Sequence, residues 1–147
     1  MAYIKYQRGF RCLPIFTKSS LEQREVLHEI IDRIQYQEKV LIYDGSPITL
    51  RVGDVWLSRG SVLQSVHRCG SKTVEGSHYR YMVEKLIKEN YMALVCTSRK
   101  SGSIYECSER FFNEIAVVFD DRKLTNQQPT NNQPTTTTLR IKKKKKE

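Results

Sequence analysis

His67 and Cys69 stand two positions apart, and Cys96 and Cys107 add two thiols downstream, so a mixed nitrogen–sulfur metal site is the first chemistry the residue types allow. Zinc sites with such donors place them at short, regular intervals, and the spacing here matches none of the common patterns. The cysteines Cys12, Cys69, Cys96 and Cys107 each stand alone, with no Cys-x-x-Cys pair. Free thiols packed as small hydrophobes in a reducing compartment are the economical reading. His28 falls inside a helical pattern, where it reads as a surface or boundary residue. The carboxylates Glu22, Glu25, Glu29 and Asp32 follow one another along a solvated helix face instead of converging from distant segments, and Asp120-Asp121 is an isolated pair. The chain has no phosphate-cradling glycine loop, no H-E-x-x-H and no nucleophile elbow. These residues predict a protein that binds without catalysing, using no cofactor and no metal.

Basic residues offer a different chemistry. Ser98-Arg99-Lys100-Ser101-Gly102 separates two apolar runs. Arg99 and Lys100 can neutralise phosphates, the serines can donate short hydrogen bonds, and Gly102 permits the turn. Upstream, Tyr79, Met82, Val83 and Leu86 recur at i, i+3, i+4 and i+7, the spacing of a buried helix face. Ser77, Arg80, Tyr81, Glu84 and Lys88 then fall on or beside the opposite face. If the N-terminal half of this helix enters a major groove, Ser77, His78, Arg80 and Tyr81 meet base edges, and Lys72 and Thr73 in the preceding turn meet phosphate. Arg80 is the leading base reader, because its guanidinium fork matches the two acceptors of guanine.

The whole chain carries +9, with 25 Lys and Arg against 16 Asp and Glu. Residues 140–147 hold six basic groups and one acidic, which is +5 of that total and leaves +4 for the preceding 139 residues. An anionic partner is implied, but a soluble protein with a solvated basic surface fits the charge equally well. No stretch approaches the roughly 20 apolar residues that span a bilayer. Residues 1–8 lack an apolar signal core, so the expected location is cytoplasmic, associated with the nucleoid.

Elements to position these residues are readable along the chain. Residues 9–16 are apolar with basic interruptions and suggest a short helix disturbed by Pro14. Ser19 with Glu22 three residues later predicts a helix start, and Leu27, Ile30, Ile31 and Ile34 predict its buried face. Residues 39–43 and 48–52 flank Asp44-Gly45-Ser46-Pro47 and predict a hairpin whose buried face includes Ile48, Leu50 and Val52. Ser58 caps a short helix carrying Val62, Leu63 and Val66 that stops near Cys69-Gly70. After the turn at 71–76, the longer helix runs to a C-cap at Asn90. Strands at 92–97 and 103–107 close a second hairpin. Phe112, Ile115, Ala116 and Phe119 have helical spacing, although Ala-Val-Val-Phe reads equally as a strand. Trp56 reads as a core or half-buried anchor. Residues 1–123 form the expected folded unit. Residues 124–147, rich in Thr, Asn and Gln, cannot bury enough surface to offset the entropy of ordering. They are expected to be a disordered tail whose Arg140, Lys142, Lys143, Lys144, Lys145 and Lys146 bind nucleic acid non-specifically.

Helix, hairpin, short helix, turn, longer helix and hairpin, in that order, predict an α+β winged helix-turn-helix that binds double-stranded DNA. Lys39-Val40-Leu41-Ile42, the passage Ile48-Thr49-Leu50-Arg51-Val52-Gly53-Asp54-Val55-Trp56-Leu57-Ser58-Arg59, and Leu86-Ile87-Lys88-Glu89-Asn90-Tyr91-Met92 carry a resemblance. Residues 4–105 resemble the winged-helix N-terminal module of DnaD-like phage and plasmid replication proteins. The turn before the longer helix is several residues longer than is usual there, and no counterpart of the C-terminal replisome-interaction domain of many relatives is expected within these residues. The resemblance implies a role in replication initiation or its control on a phage, plasmid or bacterial chromosome, with replication proteins as further partners. Three other readings stay open: a transcriptional regulator of the same fold, a protein-interaction module whose lysine tail alone holds nucleic acid, and RNA binding, which lacks a row of exposed aromatics on strands.

Overall fold

The computed structural model describes residues 2–120. The expected boundary after residue 123, the tail at 124–147 and its cations Arg140, Lys142, Lys143, Lys144, Lys145 and Lys146 lie outside the described residues. The described chain is mixed α+β. Its elements are β1 (Ala2–Tyr6), a 3-10 turn (Phe10–Cys12), α1 (Pro14–Thr17), α2 (Leu21–Asp32), β2 (Lys39–Tyr43), β3 (Ser46–Leu50), β4 (Asp54–Leu57), α3 (Arg59–Arg68), α4 (Gly76–Lys88), β5 (Met92–Ser98), β6 (Gly102–Cys107), α5 (Glu109–Glu114) and β7 (Ala116–Asp120). The strands form three small antiparallel sheets: β1 with β7, β2 with β3, and β4-β6-β5 with β6 central.

Helices α2, α3 and α4 pack on one another and on one face of the three-stranded sheet. Leu27, Ile30, Ile31 and Ile34 are buried together with Val62, Val66, Met82, Val83, Leu86, Val55 and Leu57. Strand residues alternate between faces, so Trp56 and Ile104 turn to the other side of the sheet. There they meet Tyr43 and Leu50 of the first hairpin, with Leu41, Ile48 and Cys96 around them, in a second and smaller core.

Several expected elements shift. Pro14 opens α1 at its first turn, where a missing N–H costs nothing. The cap of α2 is Ser20 with Gln23, not Ser19 with Glu22: Ser20 Oγ accepts from the Gln23 N–H at 3.1 Å and the Gln23 side chain accepts from the Ser20 N–H at 2.8 Å. Ser19 is buried and donates to the Ile15 carbonyl at 2.6 Å. The first hairpin turns on two residues, Asp44 (φ 55°) and Gly45 (φ 84°), a pair of positive φ angles that matches the right-handed strand twist. Its second strand therefore begins at Ser46 and ends at Leu50, leaving Val52 outside the strand and half-buried.

Asn90 is one position beyond the cap of α4, which is Glu89. Asn90 takes the left-handed conformation (φ 66°), and its N–H and that of Tyr91 donate to Ile87 and Leu86, the paired bonds of a Schellman close. Of the two readings open for the segment after Cys107, the helical one holds to Glu114 and the strand one holds for residues 116–120, which form β7. Residues 2–6, to which the sequence assigned no element, supply its partner strand; Tyr3 pairs with Phe119, ring centroids 5.3 Å apart. Among the described residues no helix is long and apolar enough to cross a membrane.

Candidate nucleic-acid interface

Helix α3 begins after Ser58, whose hydroxyl accepts from the Ser61 N–H. It ends at Gly70 (φ 109°), where the Gly70 and Ser71 N–H groups return to His67 and Val66. Arg33, the C-cap of α2, holds its start, with Nη1 donating to Ser61 Oγ at 2.6 Å and Nη2 to the Ser61 carbonyl at 3.1 Å. The turn into α4 is pinned from both sides. Val74 is buried, the His67 Nε2–H donates to the Val74 carbonyl at 2.7 Å, and the Thr73 hydroxyl donates to Glu22 Oε2 at 3.0 Å. Glu22's own backbone N–H, and then that hydroxyl, hold its carboxyl below the usual carboxylate range. The cap of α4 is Glu75, whose N–H donates to His78 Nδ1 at 2.8 Å.

Two glycines report close approaches between segments. A Cβ at Gly76, the first residue of α4, would stand 3.2 Å from Cδ and 3.4 Å from Nη1 of Arg59, the first residue of α3. A Cβ at Gly102, the first residue of β6 after the turn, would stand 2.5 Å from the Leu57 carbonyl oxygen and 2.9 Å from Ser58 Cβ. The start of α3 therefore touches the start of α4 on one side and the end of the β5–β6 turn on the other. Gly102 also has φ 90°, so that position excludes a side chain twice over.

The expected site residues divide on this frame. Ser77, Arg80 and Tyr81 are exposed on α4, and Arg99 and Lys100 are exposed in the β5–β6 turn. These two sets are bridged through Ser58 and Arg59. Lys72 and Thr73 are exposed in the turn before α4, where Thr73 is tied to α2. His78 is half-buried, its Nδ1 engaged by the helix cap. Arg59, exposed at the centre of the group, is absent from the residues expected to bind. Its signal was its place directly after the Ser58 cap, which puts it on the first turn of α3. Glu84 shares the exposed face of α4, Lys85 pairs with Glu89 at 3.7 Å, and Arg68 and Lys88 are exposed in the last turns of α3 and α4.

The metal-ligand types are placed elsewhere. Cys107 is buried in the main core, Cys96 borders the smaller one, Cys12 and Cys69 are exposed, and His67 is engaged with the Val74 carbonyl. Among the described residues no group of three or more His, Cys, Asp or Glu side chains could hold a metal ion. His28 is half-buried among the rings of Tyr6, Phe10 and Phe16, with the Tyr6 hydroxyl 3.0 Å from its Nδ1. Compared with protein-family models, curated proteins and solved structures, the chain matches none.

Proposed function

We propose that this protein binds double-stranded DNA sequence-specifically through a winged helix-turn-helix and carries out no chemistry of its own. In this reading α3 and α4 are the helix-turn-helix, α4 lies in the major groove, and the β5–β6 hairpin is the wing. The observation that carries it is the packing of Arg59 over Gly76 and of Gly102 against Leu57 and Ser58. It brings the start of α3 close to the start of α4 and to the first residue of β6, which supports a reading in which Arg59, Arg80, Arg99 and Lys100 share the face that meets DNA. Phosphate contacts from Arg59, Lys72, Arg99 and Lys100 supply affinity, and base contacts from Ser77, Arg80 and Tyr81 supply specificity. The resemblance to DnaD-like modules points to replication initiation or its control, in the cytoplasm on the nucleoid. The same geometry would serve a transcriptional regulator.

Selection of duplexes from a random-sequence pool, with the full chain and with residues 1–123, tests the reading at physiological salt. An enriched motif common to both supports a specific reader. Binding by the full chain alone would leave the lysine cluster as the only nucleic-acid contact. A protein-interaction role would then gain weight, favoured by the outward face of the first hairpin, where Val40 and Ile42 are 68% and 64% exposed.

A further inference from the structure

The first hairpin shares no backbone ladder with the three-stranded sheet. Tyr43 of this hairpin and Trp56 of β4 nevertheless converge on the end of the β5–β6 turn. The Tyr43 hydroxyl donates to the Gly102 carbonyl at 2.7 Å, and the Trp56 indole N–H donates to the Ser101 carbonyl at 2.6 Å. The two rings meet edge to face, centroids 5.8 Å apart and 73° between planes. On the near side of the turn the Ser98 hydroxyl donates to Asp44 Oδ1 at 3.1 Å and accepts from the Ser101 N–H at 3.2 Å. Gly102, pressed against Leu57 and Ser58, closes the far side. Both consecutive carbonyls after Lys100 are thus held by aromatic donors from outside the β5–β6 hairpin, while Arg99 and Lys100 stay exposed.

We infer that Tyr43 and Trp56 are positioning residues: they set the conformation of the turn that presents Arg99 and Lys100 to the duplex backbone. The inference rests on the DNA-binding reading for what the turn contacts, and on the hydrogen bonds alone for how it is held. A turn ordered before binding loses no backbone entropy at contact, and this raises affinity without adding a contact. The β5–β6 ladder closes at Ser98 and Gly102 and leaves residues 99–101 unpaired, so these donors hold the carbonyls where the ladder ends. Burial pushes the Tyr43 hydroxyl up to about 12, so it remains a protonated donor at physiological pH.

Tyr43→Phe and Trp56→Phe each remove one donor and keep a ring in the smaller core. Amide hydrogen exchange and duplex binding are measured on the full chain, with a mixed-sequence duplex at several salt concentrations. Faster exchange at residues 99–101 is expected, with exchange in α2 and α4 unchanged. Binding is expected to weaken about threefold to tenfold, with the salt slope reduced by about one unit and no further reduction when Lys100→Ala is added. Unchanged exchange at 99–101 in both variants overturns the brace, whatever the DNA result. Faster exchange with binding and slope equal to the unsubstituted chain overturns the role in presenting the cations. If the unsubstituted chain binds no duplex, the DNA reading fails, and exchange alone decides whether the brace exists.

Discussion

Arg80 and Lys100 are both exposed cations, yet their places predict different losses. Arg80 lies on the second turn of α4, where a forked side chain can reach two acceptors of one base. Arg80→Ala is expected to cost about 1–3 kcal/mol on the preferred site and to relax preference at one position. Equal loss on every sequence, in competition binding, would remove it from base reading. Lys100 sits exposed in a turn next to carbonyls held by Tyr43 and Trp56, and its ammonium is a point charge suited to phosphate. Lys100→Ala should weaken all sequences alike and flatten the salt slope by about one unit. The residue types and spacing marked both side chains as binders. For Arg59 they offered only its place after the Ser58 cap; its nearness to Gly76 depends on the angle at which α3 crosses the start of α4, and no local pattern encodes that angle. His78 has a local role that its residue type did not announce: on the first turn it folds back and accepts from the Glu75 N–H at the helix end.

At the scale of elements, caps and stripes were legible and exact starts were not. Two adjacent serines at 19 and 20, followed by Glu22 and Gln23, allow two capping boxes one residue apart. Burial decides between them, since Ser19 faces Ile15 in the core and Ser20 faces solvent. Ser20→Ala is expected to destabilise the fold by about 1 kcal/mol through loss of the α2 cap, read as a lower urea midpoint at constant slope. A change in slope instead would point to a different folded or unfolded ensemble. The segment after Cys107 shows the limit of periodicity. Phe112, Ile115 and Ala116 are all buried, as the stripe required, but the first lies in α5 and the last in β7. A short helix followed by a strand can imitate one continuous helical face when both pack on the same core.

At the scale of the molecule, four phenols report on the cores. Burial pushes the hydroxyls of Tyr6, Tyr43, Tyr79 and Tyr91 from 10.0 up to about 12. In each case the unfolded chain releases the proton first as pH rises. Their stabilising effect is therefore complete below about pH 10 and is lost progressively between about 10 and 12. Denaturant midpoints should fall across that interval while phenolate absorbance lags behind that of the unfolded chain. Ionisation of all the tyrosines near 10 in the folded protein would contradict this. The six basic groups at 140–147 act on a different quantity. Truncation after Lys123 should lower affinity for all duplexes and leave the preferred site unaltered, since a run of flexible-stemmed cations neutralises phosphate without reading bases. A shifted site would show that the tail takes part in recognition.

Composition, periodicity and turn chemistry by themselves determined the α+β class, the buried stripes of α2 and α4, the Ser58 cap, the Gly70 stop and both hairpins. Each is set by residues within a few positions of one another, where hydrogen-bond reach and side-chain spacing leave few choices. Tertiary structure alone decided the pairing of β1 with β7, the nearness of Arg59 to Gly76, and the seating of Tyr43 and Trp56 behind the β5–β6 turn. Those contacts join residues far apart in the chain. They depend on how whole faces close over a common core, which is a property of the packed chain and not of any window within it.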